Sequence, residues 1–268
     1  MSKKMRNGYT TGSCAAAGMK AVLLYLLKGS IVSNVEISAL TGEKLTIPIK
    51  QVAASSAGTY AEVIKDAGDD PDITQGISIF TQVKINSSGI INFFAGDGIG
   101  KVTKNGLSVP VGQPSINPGP RKMMTNIAHE LLNENQGCDI TISAPEGKNL
   151  AKRTLNPILG IEGGISVLGT SGIVEPMSEQ ALLDTIELEM KVRRAGGKNY
   201  LIMAPGNYGL DFLREAYGIQ DKDVVKCSNY IGQSMDMAAE CKFQGLVLAG
   251  HIGKLIKVSG GVMNTHSD

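Results

Sequence analysis

Four glycine-bearing loops in the second half of the chain carry side chains suited to holding a small polar molecule. They are Gly169-Thr-Ser-Gly172, Ala204-Pro-Gly-Asn-Tyr-Gly209, Lys226-Cys-Ser-Asn-Tyr-Ile-Gly232 and Ala249-Gly-His-Ile-Gly-Lys254. Ser171, Asn207, Ser228 and Asn229 offer hydroxyl and amide groups for a ligand's hydroxyls and ring edges. Gly169, Gly172, Gly206, Gly209, Gly250 and Gly253 let backbone approach a ligand, because no Cβ stands in the way. Read singly, each loop is a strand end followed by a helix cap. Four at corresponding places read as a ligand crevice. None has the spacing of a phosphate P-loop or of the GxGxxG dinucleotide turn, so an NTPase or a nicotinamide enzyme has little support. His251, at a strand end among glycines, is the candidate general base.

A second group lies in the first half, in Gly96-Asp-Gly-Ile-Gly-Lys101-Val-Thr-Lys104 and Ile116-Asn-Pro-Gly-Pro-Arg121-Lys122. Pro118 and Pro120 stiffen the second loop, so Arg121 would lose little freedom on gripping a carboxylate. Lys101 and Lys104 extend the cationic set, although a glycine turn with exposed lysines would account for them too. Asp69 and Asp70 could orient a ligand hydroxyl, but such pairs more often form Asx turns.

These groups need elements to hold them. Strands at Ile165–Leu168, Tyr200–Met203, Val224–Val225 and Gly245–Ala249 alternate with helices at Ser178–Arg194, Tyr208–Tyr217 and Ile231–Cys241, the pattern of βαβ crossovers and a mainly parallel sheet. Ligands bind such sheets outside the carboxyl ends of the strands. The first half instead predicts a helix over Ser13–Leu27, started by Thr11 or Ser13, then strands near Val35–Ser38, Leu45–Ile49, Ala61–Lys65, Ile77–Ile85 and Ile90–Phe94. A helix over Arg121–Asn133 and a strand at Asp139–Ser143 close it. The expected architecture is two-domain α/β: an α+β domain over 1–150, expected to form part of the substrate cleft, and an α/β domain over 151–268 that carries the crevice.

Composition narrows the partners. Lys plus Arg number 26 against 25 Asp plus Glu, a net charge of +1 without the broad basic footprint of a nucleic-acid protein. Apolar residues make up 42% without a run near the roughly 18 needed to span a bilayer, so a membrane partner is not expected. Thr10, Thr11, Ser13 and nearby glycines interrupt any signal-peptide core. The cysteines, Cys14, Cys138, Cys227 and Cys241, form neither a CxxC pair nor a metal spacing and read as reduced thiols of a cytoplasmic protein. Self-association is left open.

Taken together, the motifs resemble one family. Gly8-Tyr-Thr-Thr-Gly-Ser-Cys-Ala-Ala-Ala17, Ala67-Gly-Asp-Asp-Pro-Asp-Ile-Thr74, Gly96-Asp-Gly-Ile-Gly100, Ile116-Asn-Pro118 with Pro120-Arg121, Leu155-Asn-Pro-Ile-Leu-Gly-Ile161, Gly163-Gly-Ile-Ser-Val-Leu-Gly-Thr-Ser-Gly-Ile-Val174, Val225-Lys-Cys-Ser-Asn229, Gly250-His-Ile-Gly-Lys254 and Met263-Asn-Thr-His-Ser267 follow in the order found in CbiD proteins. The resemblance implies methylation of carbon 1 of cobalt-precorrin-5B to give cobalt-precorrin-6A in anaerobic cobalamin biosynthesis. It also implies S-adenosyl-L-methionine as donor, a small-molecule corrinoid as substrate, and no protein-bound metal, since cobalt is carried by the substrate. Thr10 and Thr11, inside the first motif, join Lys101, Lys104 and Arg121 as expected substrate contacts. The strand-end loops are then the expected donor site. A non-catalytic tetrapyrrole carrier or assembly partner is the alternative. Family members usually continue for several tens of residues past the last motif, whereas this sequence ends at Asp268, which fits both a natural short form and a truncation.

Overall fold

The computed structural model describes residues 5–56 and 58–266; Ser267, the last residue of the terminal motif, lies outside them. The chain divides into two compact units, 1–103 with 108–177, and 104–107 with 178–268.

In the first unit the helix Thr11–Lys28 is the central element. Its cap is Thr10 and not the expected Thr11 or Ser13, and the Thr10 Oγ1 accepts from the Ser13 amide at 3.1 Å. Gly29, with φ of 66°, ends it in the left-handed conformation that glycine adopts without strain. Thr11 through Met19 are all buried, and almost all of them are small. That smallness lets the helix lie close to a sheet: a Cβ on Gly18 would stand 2.9 Å from Thr81 Oγ1, and that hydroxyl donates to Ala15 O at 3.1 Å.

The sheet has five strands in the order Gln51–Ser55, Gly58–Ile64, Ser78–Asn86, Gly137–Ser143, Ile91–Ala95. Neighbours are antiparallel except the last pair, which is parallel. A separate hairpin pairs Asn34–Ser38 with Lys44–Pro48, and its alternating burial puts Val35, Ile37, Leu45 and Ile47 in the core. The helix Pro118–Leu131 begins on the proline that fixes its first turn and packs against Thr11–Lys28.

The first unit runs to Met177 and not to about 150. Ile165 and Val167, expected in the parallel sheet, bridge instead to Ile99 and Ile116 and are buried with them. Ile161–Glu162 pairs with Lys101–Val102, and Ile173–Val174 with Gly8–Tyr9. An apolar run records that a segment is buried, not which sheet it joins, and this one joined the earlier half of the chain.

The second unit holds a three-stranded parallel sheet in the order Val225–Lys226, Tyr200–Ala204, Gly245–Leu248. Ile186, Met190, Leu201, Met203, Val225 and Ile231 form one apolar cluster, while Leu210, Leu213, Val224 and Ala249 form another. The buried Glu189 accepts from Arg193 one turn later in the helix Glu179–Ala195, and Arg193 also donates to Lys222 O at 2.7 Å. No described helix is long and apolar enough to cross a membrane.

One ion pair gives the first unit a defined acid sensitivity. Arg6 donates to both Asp66 carboxylate oxygens, at 2.6 and 2.8 Å, and holds that carboxyl at about 2, below its ordinary 3.8. A depressed carboxyl stabilises the fold fully above its unfolded value and loses that contribution as pH falls through its folded one. The urea midpoint should therefore drop between pH 4 and pH 2, and Arg6→Ala should shrink that drop; an unchanged pH profile in the variant would refute the assignment.

Candidate functional site

In the first unit three of the motifs meet at the start of the helix Thr11–Lys28. Gly12 donates to Leu168 O at 2.8 Å, and a Cβ there would stand 2.5 Å from Pro120 Cγ. The Thr11 hydroxyl accepts from the Leu168 amide at 2.8 Å and faces the carbonyls of Ser166 and Leu168. Ser13 Oγ donates to Gly172 O at 2.5 Å, and Thr10 Oγ1 lies 3.4 Å from the same oxygen. A Cβ on Gly119 would collide with Gly169 O. Thr10 and Thr11 are thus engaged in fastening the 166–172 segment.

That segment carries Gly169, Ser171 and Gly172, which sequence reasoning put at the same sheet edge as the other three loops. They belong to the first unit, because Ile165 and Val167 do. Ser171 closes a turn on itself, with Oγ accepting from Ile173 N at 3.1 Å.

Arg121 is half-buried beside this junction. Its Nε donates to Ile116 O at 2.8 Å, Nη2 reaches Pro114 O at 3.4 Å, and the guanidinium lies 5.0 Å from the Phe93 ring centroid. All three partners are neutral. Burial lowers its pKa, yet a guanidinium remains charged. Lys101 is exposed on its short strand in register with Glu162, while Lys104 falls in the second unit, so the expected cationic set is divided. The glycine-rich stretch before Lys101 is closed by the protein's own backbone: Cβ atoms on Gly98 and Gly164 would collide with Ala144 O and Gly98 O. Asp69 and Asp70 accept from the amides of Arg6 and Met177, at 2.7 and 3.2 Å.

In the second unit the other three loops do come together, at the carboxyl ends of the parallel strands. Cys227 N donates to Ala204 O at 3.0 Å, and Ser228 follows with a φ of 51°. Lys254 Nζ donates to Pro205 O at 3.2 Å and to Asn229 Oδ1 at 2.9 Å, joining all three loops through one ammonium. Asn229 O also accepts from Thr265 N at 2.9 Å, which brings the terminal motif to the same place. Sequence reasoning did not select Lys254 or Thr265. Both stand in motifs quoted above, but in the Ala249–Lys254 loop only Gly250, Gly253 and His251 carried an expected role.

The glycines there differ from one another. Gly206 has extended backbone and nothing within 4 Å of a would-be Cβ, so the space beside it is open. Gly209 is filled, since a Cβ would collide with Ala249 O, and at Gly250 one would stand 2.9 Å from Pro205 Cγ. Gly253 donates its amide to His251 Nδ1 at 3.1 Å, making His251 the cap of the helix Ile252–Ser259. Its ring meets Tyr208 edge-on at 5.1 Å. Alongside lies an apolar cavity of about 600 Å³ lined by Tyr208, Phe212, Tyr217, Val247, Gly250 and Ile252 among others. Among the described residues no three His, Cys, Asp or Glu side chains gather as metal ligands.

The CbiD family model matches residues 1–176. The chain belongs to the CbiD family. Over 265 residues it is 44% identical to the cobalt-precorrin-5B C(1)-methyltransferase of Alkaliphilus metalliredigens (strain QYMF), covering 99% of this chain and 70% of the relative. Against the protein of the same name from Methanocaldococcus jannaschii the identity is 46% over 266 residues, covering 99% and 74%. A 1.9 Å crystal structure of cobalamin biosynthesis protein (cbiD) from Archaeoglobus fulgidus is similar, with a TM-score of 0.50 and 25% identity over 97% of this chain and 82% of that one.

Two outcomes follow from this geometry. Gly209→Ala should lower the melting temperature of the second unit far more than Gly206→Ala, which meets no atom and costs at most about 1 kcal/mol for placing alanine at the cap of the helix Asn207–Tyr217; equal losses would contradict the packing described. Burial pushes the thiols of Cys14 up to about 12 and of Cys138 and Cys227 up to about 11. Of the four, a disulfide reagent at neutral pH should therefore label the partly exposed Cys241 first in the native protein, and rapid labelling of Cys14 would count against this.

Proposed function

We propose that the chain is a C-methyltransferase that converts cobalt-precorrin-5B to cobalt-precorrin-6A, methylating ring carbon 1 with S-adenosyl-L-methionine as donor. The observation that carries the reading is the name shared by relatives from 41% to 46% identical across essentially the whole chain. Carbon 1 supplies the electron pair of the new carbon–carbon bond, and the sulfonium sulfur keeps the pair of the bond that breaks. Such an in-line displacement needs the two atoms held at near-attack distance more than it needs a covalent nucleophile.

The residues divide accordingly. Arg121 suits a peripheral carboxylate of the corrinoid, because its guanidinium is preorganised by two carbonyls and a ring and has no ion-pair partner among the described residues. Lys101 serves as a weaker outer contact. Thr10 and Thr11 act through the 166–172 segment that they fasten. The donor is assigned to the second unit's strand ends, where Gly206 leaves open space beside Asn207, Ser228, Asn229 and the Gly250–Gly253 loop. Gly169, Ser171 and Gly172 drop out of that assignment with their move to the first unit. His251 is assigned to capping, because the nitrogen that would take a proton already accepts from Gly253.

The deciding experiment incubates the protein with cobalt-precorrin-5B and methyl-labelled donor. Label on ring carbon 1 is expected, and its absence with a folded protein would refute the reading. Arg121→Ala should raise KM for the corrinoid roughly tenfold to a hundredfold, the equivalent of about 1.5 to 3 kcal/mol for a charge-assisted pair, and leave KM for the donor nearly unchanged. Equal effects on both ligands would remove Arg121 from the substrate contacts.

A further inference from the structure

Lys254 stands in the first turn of the helix Ile252–Ser259, the positive end of a helix, where a cation is electrostatically disfavoured. That turn contains no acidic residue. The side chain is half-buried, and its ammonium donates to two neutral oxygens, Pro205 O and Asn229 Oδ1. No carboxylate among the described residues lies within the 4.0 Å of an ion pair. Cys227 senses this charge, yet burial pushes its thiol up to about 11, so it supplies no counter-charge at neutral pH.

A half-buried ammonium without a counter-ion is costly, and folding alone does not require one here. An ammonium has three donors, and the two bonds to neutral oxygens leave the third. Asn229 is itself held through Thr265, so the oxygen that orients Lys254 is fixed in place. Beside it, the backbone at Gly206 is open.

We propose that Lys254 is a ligand-binding residue of the second unit that pairs with the carboxylate of a small molecule seated at the strand ends. The inference rests on the methyltransferase reading, and two carboxylates fit it: the amino-acid end of the donor and a peripheral carboxylate of the corrinoid. S-adenosylhomocysteine carries the first, a stable corrinoid polycarboxylate carries the second, and 5′-methylthioadenosine has the same nucleoside thioether without any carboxylate.

The test is isothermal titration of these three probes with the wild-type protein, Lys254→Met, Lys254→Arg and Asn229→Asp. Lys254→Met should weaken one carboxylate probe at least tenfold and leave methylthioadenosine unchanged, and Lys254→Arg should recover most of the loss. Asn229→Asp supplies an internal counter-ion while keeping the lysine, and should weaken the same probe. Loss confined to S-adenosylhomocysteine assigns the carboxylate to the donor, and loss confined to the corrinoid assigns it to the substrate. Wild-type affinity for every probe in Lys254→Met, or a uniform loss that includes methylthioadenosine, overturns the proposal. Failure of the wild-type protein to bind S-adenosylhomocysteine would instead count against the donor reading, and the corrinoid titration would still judge Lys254.

Discussion

In the first unit main chain passes main chain where a single methyl group would not fit, and the other elements are arranged around those crossings. Gly98 lies between Ala144 and Gly164, Gly12 against Leu168 and Pro120, and Gly119 against Gly169. Close approach makes backbone hydrogen bonds across the crossings, such as Ile165 N to Gly98 O at 2.9 Å. Each such bond contributes only about 1 kcal/mol, but an inserted Cβ would push the two segments apart and lose several together. The segment from 161 to 174 is threaded into the first unit by these contacts, which is why the unit extends so far along the chain.

Charge follows a different logic. Several buried or half-buried charges are ion-paired: Lys65 with Asp72 at 2.6 Å, Glu62 with Lys50 at 2.8 Å, Arg193 with Glu189. Arg121 and Lys254 are held differently. Both are half-buried, both are oriented by carbonyl oxygens, and neither has a carboxylate partner among the described residues. Removing one member of a structural pair strands a buried charge, whereas these two cations are already complete on the protein's side.

Local order was readable where period and capping agreed. The strands Tyr200–Ala204 and Gly245–Leu248 and the helices Asn207–Tyr217 and Ile231–Glu240 lie within a residue of their expected limits. Gln51–Ser55 went unnoticed because its alanines and serines do not alternate in polarity, and Ile252–Ser259 because glycine and histidine obscure its start. The glycines misled more deeply. A sequence records that a Cβ is absent, but whether the vacated volume faces solvent, as at Gly206, or another carbonyl, as at Gly209, depends on neighbours distant along the chain. Ile165–Leu168 failed for the same reason: burial was legible, but its partners were not.

The excursion at 104–107 bears on the order of synthesis. Its base is closed within the first unit by Val102 N to Gln113 O at 3.0 Å and Gly112 N to Val102 O at 2.8 Å. Its tip belongs to the second unit, where Gly106 abuts Val192. These four residues leave the ribosome long before the helix that receives them, so the first unit can close around the excursion while the tip waits for a partner. The later-made unit cannot complete its packing without a piece made earlier, and severing the chain after Met177 would separate it from that piece.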